Sequence, residues 1–115
     1  MKLAEICRRL NLTDLTSELS TGEVDVTGGF ASDLLSDVLA HARSGDVLVT
    51  VQVHLNVIAV AVHAELAAVI FASDRRPDEA VRLKAIEEQM PLLVSKEPAF
   101  VVAGKLYAMG IGAVS

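Results

Sequence analysis

The sequence predicts an α/β domain with three layers: a mainly parallel sheet of about four to five strands carrying helices on both faces. Three observations predict it. Hydrophobic residues make up 52% of the chain and mean hydropathy is +0.47, yet only 3% of residues are aromatic. The apolar mass is therefore Ala, Val, Leu and Ile, which suits strands buried on both faces and the helices that cover them. Two nearly unbroken apolar runs, residues 47–51 and 67–72, have the length and β-branched content of such strands. Strand patterns also alternate with short helical patterns over short connections, which specifies parallel pairing through right-handed crossovers. At 115 residues the chain is read as a single domain over 1–115.

Along the chain, residues 2–10 read as an amphipathic helix with Leu3, Ile6, Cys7 and Leu10 on one side. A short strand is expected around 12–15. Residues 24–31 have strand character interrupted by Gly28 and Gly29, the mark of a bulge or of a close backbone approach. Ser32 and Asp33 form an N-cap signal for a helix whose apolar face is Leu34, Leu35, Val38, Leu39 and Ala42, and Gly45 ends it. The run 47–51 is a strand, 56–64 a short helix and 67–72 a second strand. Pro77, Asp78 and Glu79 open the next helix, with proline in the first turn and acids at the positive end of the dipole. Leu83, Ile86 and Met90 are its expected buried stripe. Residues 92–94 are a short strand, Pro98 starts the last helix and Gly110 stops it.

Composition excludes several classes of function. The formal charge of −5 and a pI near 5.0 give no basic face for nucleic acid or an anionic membrane. Residues 47–72 are long and apolar enough to span a bilayer, but Gln52, His54, Asn56, His63 and Glu65 run through them, each costly in hydrocarbon. That segment is a buried β-α-β unit. The single cysteine, Cys7, allows no disulfide within the chain and fits a reducing, cytoplasmic compartment; residues 1–10 show no signal-peptide pattern. His41, His54 and His63 lack metal-ligand spacing. Gly104-Lys105 lacks the upstream glycine of a phosphate-binding loop, and no dinucleotide fingerprint or nucleophile elbow is present. No cofactor and no metal are expected.

The distinctive string is Asp25-Val26-Thr27-Gly28-Gly29-Phe30-Ala31-Ser32-Asp33-Leu34-Leu35-Ser36-Asp37. With Gly45-Asp46, the stretch from Thr50 to Asn56 and Ala59-Val60-Ala61, it resembles the DRTGG domain, whose naming motif this chain carries as Asp25 to Gly29, with Val26 in place of the Arg. The resemblance covers essentially the whole chain. It implies a fold like the N-terminal domain of the kinase acting on the phosphocarrier protein HPr. Such domains occur free-standing, as an extension of some phosphotransacetylases and as an insert between the nucleotide-sensing CBS domains of certain pyrophosphatases. The resemblance implies that chemistry and nucleotide sites belong to the attached domains and that the DRTGG part, of unknown function itself, lies at dimer contacts. A non-catalytic regulatory module is the leading expectation. A role for the motif's positive charge does not carry over to Val26.

In parallel α/β sheets ligands gather beyond the carboxyl ends of the strands. Those ends are expected to hold Ser32, Asp33, Gln52, His54, Asn56, Ser73, Asp74 and Ser95. The candidate ligand-binding residues are Thr27, Gly28, Gly29, Ser32, Asp33, Gln52, His54 and Asn56, taking a small molecule, phosphorylated or nucleotide in class. Ser32 and Asn56 would offer helix amides to an anion; equally, these residue types cap helices and make turns everywhere. The module would sense that ligand or dock on a partner protein; an alternative is an enzyme with His54 as acid/base beside Asp33, and a further one is a dimerisation scaffold without a ligand. The final helix is apolar almost all round, with Lys105 its one charge. A small domain cannot hide such a helix, nor the similar one at 56–64. A homodimer is therefore expected, with Phe100, Val101, Leu106, Tyr107 and Met109 at its interface.

Overall fold

The computed structural model describes residues 1–112. The elements run α1 (Leu3–Leu10), β1 (Thr13–Asp14), β2 (Gly28–Ala31), α2 (Leu35–His41), β3 (Asp46–Thr50), α3 (Asn56–His63), β4 (Ala68–Phe71), α4 (Glu79–Glu87), β5 (Leu92–Val94) and α5 (Ala99–Ala108). One sheet has the order β1-β5-β4-β3-β2, parallel throughout except for the antiparallel edge strand β1. Every residue of β3, β4 and β5 is buried, as continuous apolar runs require when both faces are covered. The three layers, the mainly parallel sheet and the interior placement of the two long apolar runs match the expectation.

Register assigns the strand side chains to the two faces. Leu48, Val69 and Leu92 lie in one row of paired residues, and Val49, Ile70 and Leu93 in the next. Alternation along a strand sends neighbouring rows to opposite faces. The first row packs with Val38 of α2, Val57, Ile58 and Ala61 of α3, and Val81 and Ala85 of α4. The second packs with Leu3, Ile6 and Leu10 of α1 and Val102 and Leu106 of α5. The three crossover helices thus share one face, and the first and last helices cover the other. Successive parallel strands are neighbours and the winding never reverses, so this sheet has no topological switch point, the feature that opens a ligand crevice in doubly wound folds.

Several local expectations change. Residues 28–31 pair in unbroken register with 46–49, so Gly28 and Gly29 make no bulge, and the strand is shorter than 24–31. Asp25 instead forms an isolated bridge with Lys2. Ser32 and Asp33 do not cap α2: the N-cap is Leu34, whose N–H donates to the Ser32 hydroxyl at 3.1 Å in a local turn. On α2 only Val38 is fully buried, while Leu34 and Leu39 stay exposed. The buried stripe of α4 is Val81 and Ala85, with Leu83 outside and Met90 buried beyond the helix end. The cap at Asp78 forms as expected, its carboxylate accepting the Val81 N–H at 3.1 Å.

Candidate functional site

The eight residues proposed from sequence as one site stand at opposite ends of the strands. Ser32 and Asp33 follow β2 at its carboxyl end, where the Ser32 N–H donates to the Val49 carbonyl at 3.1 Å. Asp33 reaches across to β3. Its Oδ1 accepts from the Thr50 hydroxyl and from the Val51 N–H, both at 2.8 Å. The fully buried Thr50 hydroxyl in turn accepts the Gln52 N–H at 3.1 Å. The carboxylate thereby satisfies backbone and hydroxyl groups left where the sheet stops. Thr50, missed in the sequence reading, is the centre of this cluster. Its only sequence signal is a hydroxyl inside an apolar strand.

Thr27, Gly28 and Gly29 lie at the amino end of β2, away from this cluster. The Thr27 N–H donates to the Gly45 carbonyl at 3.0 Å, and Gly28 is paired with Asp46. A Cβ on Gly28 would run into the Asp46 carboxylate. That carboxylate is buried and pinned, since its Oδ2 accepts the Arg43 N–H at 2.8 Å. Gly45, at φ +87°, has the left-handed backbone that favours glycine, and a Cβ there would meet the Thr27 hydroxyl. The close approach at Gly28 is thus made by the protein's own Asp46. Val26 is 1% exposed and packs in the core shared by α1 and α5, so the motif's positive charge has no place here.

His54 and Asp33, the proposed acid/base pair, are not joined by a hydrogen bond. His54 Nδ1 lies 3.1 Å from the Asn56 N and accepts its N–H, which places the proton of the neutral ring on Nε2. The first amide of α3 is thereby taken, and the Leu34 N–H before α2 is taken by Ser32, so neither is free for an anion. The other strand ends are similarly self-satisfied. The Ser73 and Asp74 N–H groups donate to the carbonyls of Glu97 and Ser95 at 2.7 and 2.8 Å, and the Ser95 hydroxyl accepts the Glu97 N–H.

What remains open is a groove of 490 Å³ between residues 52–55 and the start of α4, lined by Gln52, Val53, His54, Leu55, Asp78, Ala80 and Val81. Asn56 and the 27–33 segment do not line it. The sequence reading missed its second wall, because residues 78–81 meet residues 52–55 only through tertiary packing.

On the opposite face α5 exposes Phe100 at 89% and Tyr107 at 70%, while Val101 and Met109 are half-buried. Leu106, expected at an interface, is 3% exposed: it faces the sheet and belongs to the core. The α3 helix, equally apolar, is flanked by α2 and α4, which cover much of it. The strongest ion-pair cluster lies elsewhere. Arg82 binds Glu79 and Glu18 at 2.6 and 2.7 Å and donates to the Leu15 carbonyl, tying α4 to the turn after β1. Hydrogen bonds from Arg82 hold both carboxyls below the usual range. Among the described residues no group of three potential metal ligands occurs, and no helix is long and apolar enough to cross a membrane.

No family model and no curated protein matches the chain. A solved structure does: the CBS and DRTGG domains of the regulatory region of Clostridium perfringens pyrophosphatase, complexed with the activator diadenosine tetraphosphate. The TM-score is 0.68 at 11% identity, covering 90% of this chain and 44% of that one. This chain therefore spans less than half the length of its structural neighbour. At that identity the likeness is one of fold. By fold the protein is a mixed α/β domain with a mainly parallel sheet, and that fold is DRTGG-like.

Proposed function

We propose that this chain is a non-catalytic regulatory module that senses a small ligand and works as a homodimer. The observation that carries the reading is the shared fold with a regulatory region crystallised with a nucleotide activator. Local chemistry supports it. The polar residues at the strand ends are mostly consumed by capping and turns, which leaves no nucleophile–base pair, whereas the groove beside Gln52 and His54 keeps free polar groups. Its volume lies within the range of small-molecule pockets. The exposed Phe100 and Tyr107 on an otherwise apolar helix fit an interface with a second copy, with Val101 and Met109 at its margin. A ligand that alters this contact would act on whatever domain or partner the module is coupled to. The lone, half-buried Cys7 fits the cytoplasm.

A thermal-shift screen with nucleotides and phosphorylated metabolites tests the sensing. A ligand bound by the native state raises Tm, and diadenosine tetraphosphate is the first compound to try. A panel without any shift would leave a ligand-free scaffold, and turnover of a hit would make the protein an enzyme. Light scattering after size exclusion tests the assembly: a clean 12.2 kDa species at micromolar concentration would rule out the dimer.

A further inference from the structure

We infer that the groove between residues 52–55 and the start of α4 takes the amine-bearing edge of a purine base; this rests on the sensing role proposed above. The inference comes from which polar atoms are still free. His54 has spent Nδ1 on the Asn56 N–H, so the neutral ring has Nε2–H to donate. Asp78 has spent Oδ1 on the Val81 N–H, and its other oxygen remains an acceptor. Gln52 brings a carboxamide that can both donate and accept. Between these groups lie Val53, Leu55 and Val81, with Leu55 46% exposed beside them.

An acceptor carboxylate, a ring N–H donor and a two-way amide beside apolar side chains match an exocyclic amine, a ring nitrogen and a flat heterocyclic face. They do not match phosphate, because the lining has no Lys or Arg and sets the Asp78 carboxylate beside His54, where it would repel an anion. A pyrimidine without an exocyclic amine, such as uracil, offers that carboxylate only its N3–H, set between two carbonyl oxygens that repel it, a mismatch that favours the purine. Two other grooves among the described residues lack this combination. The 540 Å³ depression near Thr27 has only Thr27 and Glu5 as polar side chains, and the 270 Å³ groove between β2 and α5 has only Tyr107.

Adenosine, uridine and pyrophosphate, titrated into the full chain and followed by amide chemical shifts, test the inference. Adenosine should move the resonances of Gln52 to Leu55 and of Ala80 and Val81, and the other two should leave them in place. Asp78→Asn keeps an oxygen to cap α4 but removes the charge, and should weaken adenosine binding roughly tenfold with Tm nearly unchanged. Gln52→Ala, away from any cap, should weaken binding as well. Shifts from pyrophosphate at these residues, adenosine shifts elsewhere, or full affinity in both variants would each overturn the inference. If another compound of the screen binds while adenosine does not, the purine site fails and the sensing role stands. If nothing in the screen binds, both fail.

Discussion

Asp33 and Thr50, 17 residues apart in sequence, lock the carboxyl ends of β2 and β3 together: the buried Thr50 hydroxyl donates to the Asp33 carboxylate at 2.8 Å and itself accepts the Gln52 N–H. The segment that lines the groove therefore leaves the sheet from a point fixed by a side chain just past the end of the neighbouring strand. Thr50→Val preserves the shape, removes both bonds and should lower stability by about 1–2 kcal/mol. Asp33→Ala should cost a similar amount. Because the pair acts as a unit, the double variant should lose less than the sum of the singles in urea denaturation. Strict additivity would mean that the two residues act independently.

The two glycines of the motif should behave differently. Gly28→Ala drives a methyl into the pinned Asp46 carboxylate and should destabilise by about 1–3 kcal/mol, the usual range for overpacking. At Gly29 a Cβ would meet Ile111 at 3.6 Å and Val47 at 3.8 Å, ordinary contacts, so Gly29→Ala should be close to neutral. Equal effects at both positions would contradict the assignment of Gly28 to the Asp46 contact.

Restoring the motif's arginine tests the core placement of position 26. Val26→Arg would put an unpaired charge among Leu3, Ile6 and Val102 and should cost at least about 3 kcal/mol or prevent folding. A variant that folds with unchanged Tm would mean the position opens to solvent.

Cys7 should be inert in the native protein. Burial first, then the Asp14 carboxylate, push its thiol from its ordinary 9.0 up to about 11. Alkylation by iodoacetamide at pH 8 should be slow in the native protein and much faster in urea. The folded value lies above the unfolded one, so the protonated thiol's contribution to stability is fully present below pH 9.0 and is lost as pH rises through about 11. Cys7→Ala should lack that added loss between those values.

On α5, neighbouring residues should separate assembly from folding. Tyr107→Glu, at 70% exposure, should weaken a dimer while leaving Tm of the monomer nearly unchanged. Leu106→Glu, at 3% exposure, should unfold the domain. A dimer indifferent to Tyr107→Glu would move the contact to another face.

The architecture was legible because hydrophobic period and burial are nearly one-to-one in strands covered on both faces. The runs read as strands at 47–51 and 67–72 are the interior strands at 46–50 and 68–71, within one residue at each end. The helices were legible in place but not in orientation. Leu83, on the charged helix α4, and Leu106, on the apolar α5, are both leucines on short helices, yet one faces water and the other the sheet. The apolar residues of α4 are split between two sides by Arg82 and Lys84 and those of α5 run all round, so neither helix has a dominant period to choose between these faces.

By itself, then, the sequence determined the layers, the parallel sheet and the DRTGG-like fold, because these follow from local periodicity and from a motif contiguous in the chain. Only the tertiary structure decided that Thr27 to Gly29 and Ser32-Asp33 stand at opposite ends of β2. It also decided that Asp33 binds Thr50 in preference to His54, and that the open groove is walled by Asp78 and Val81. The last two are contacts between segments distant in sequence. The polar side chains involved can satisfy themselves with any donor or acceptor that packing brings near, so their partners are set by how the elements assemble.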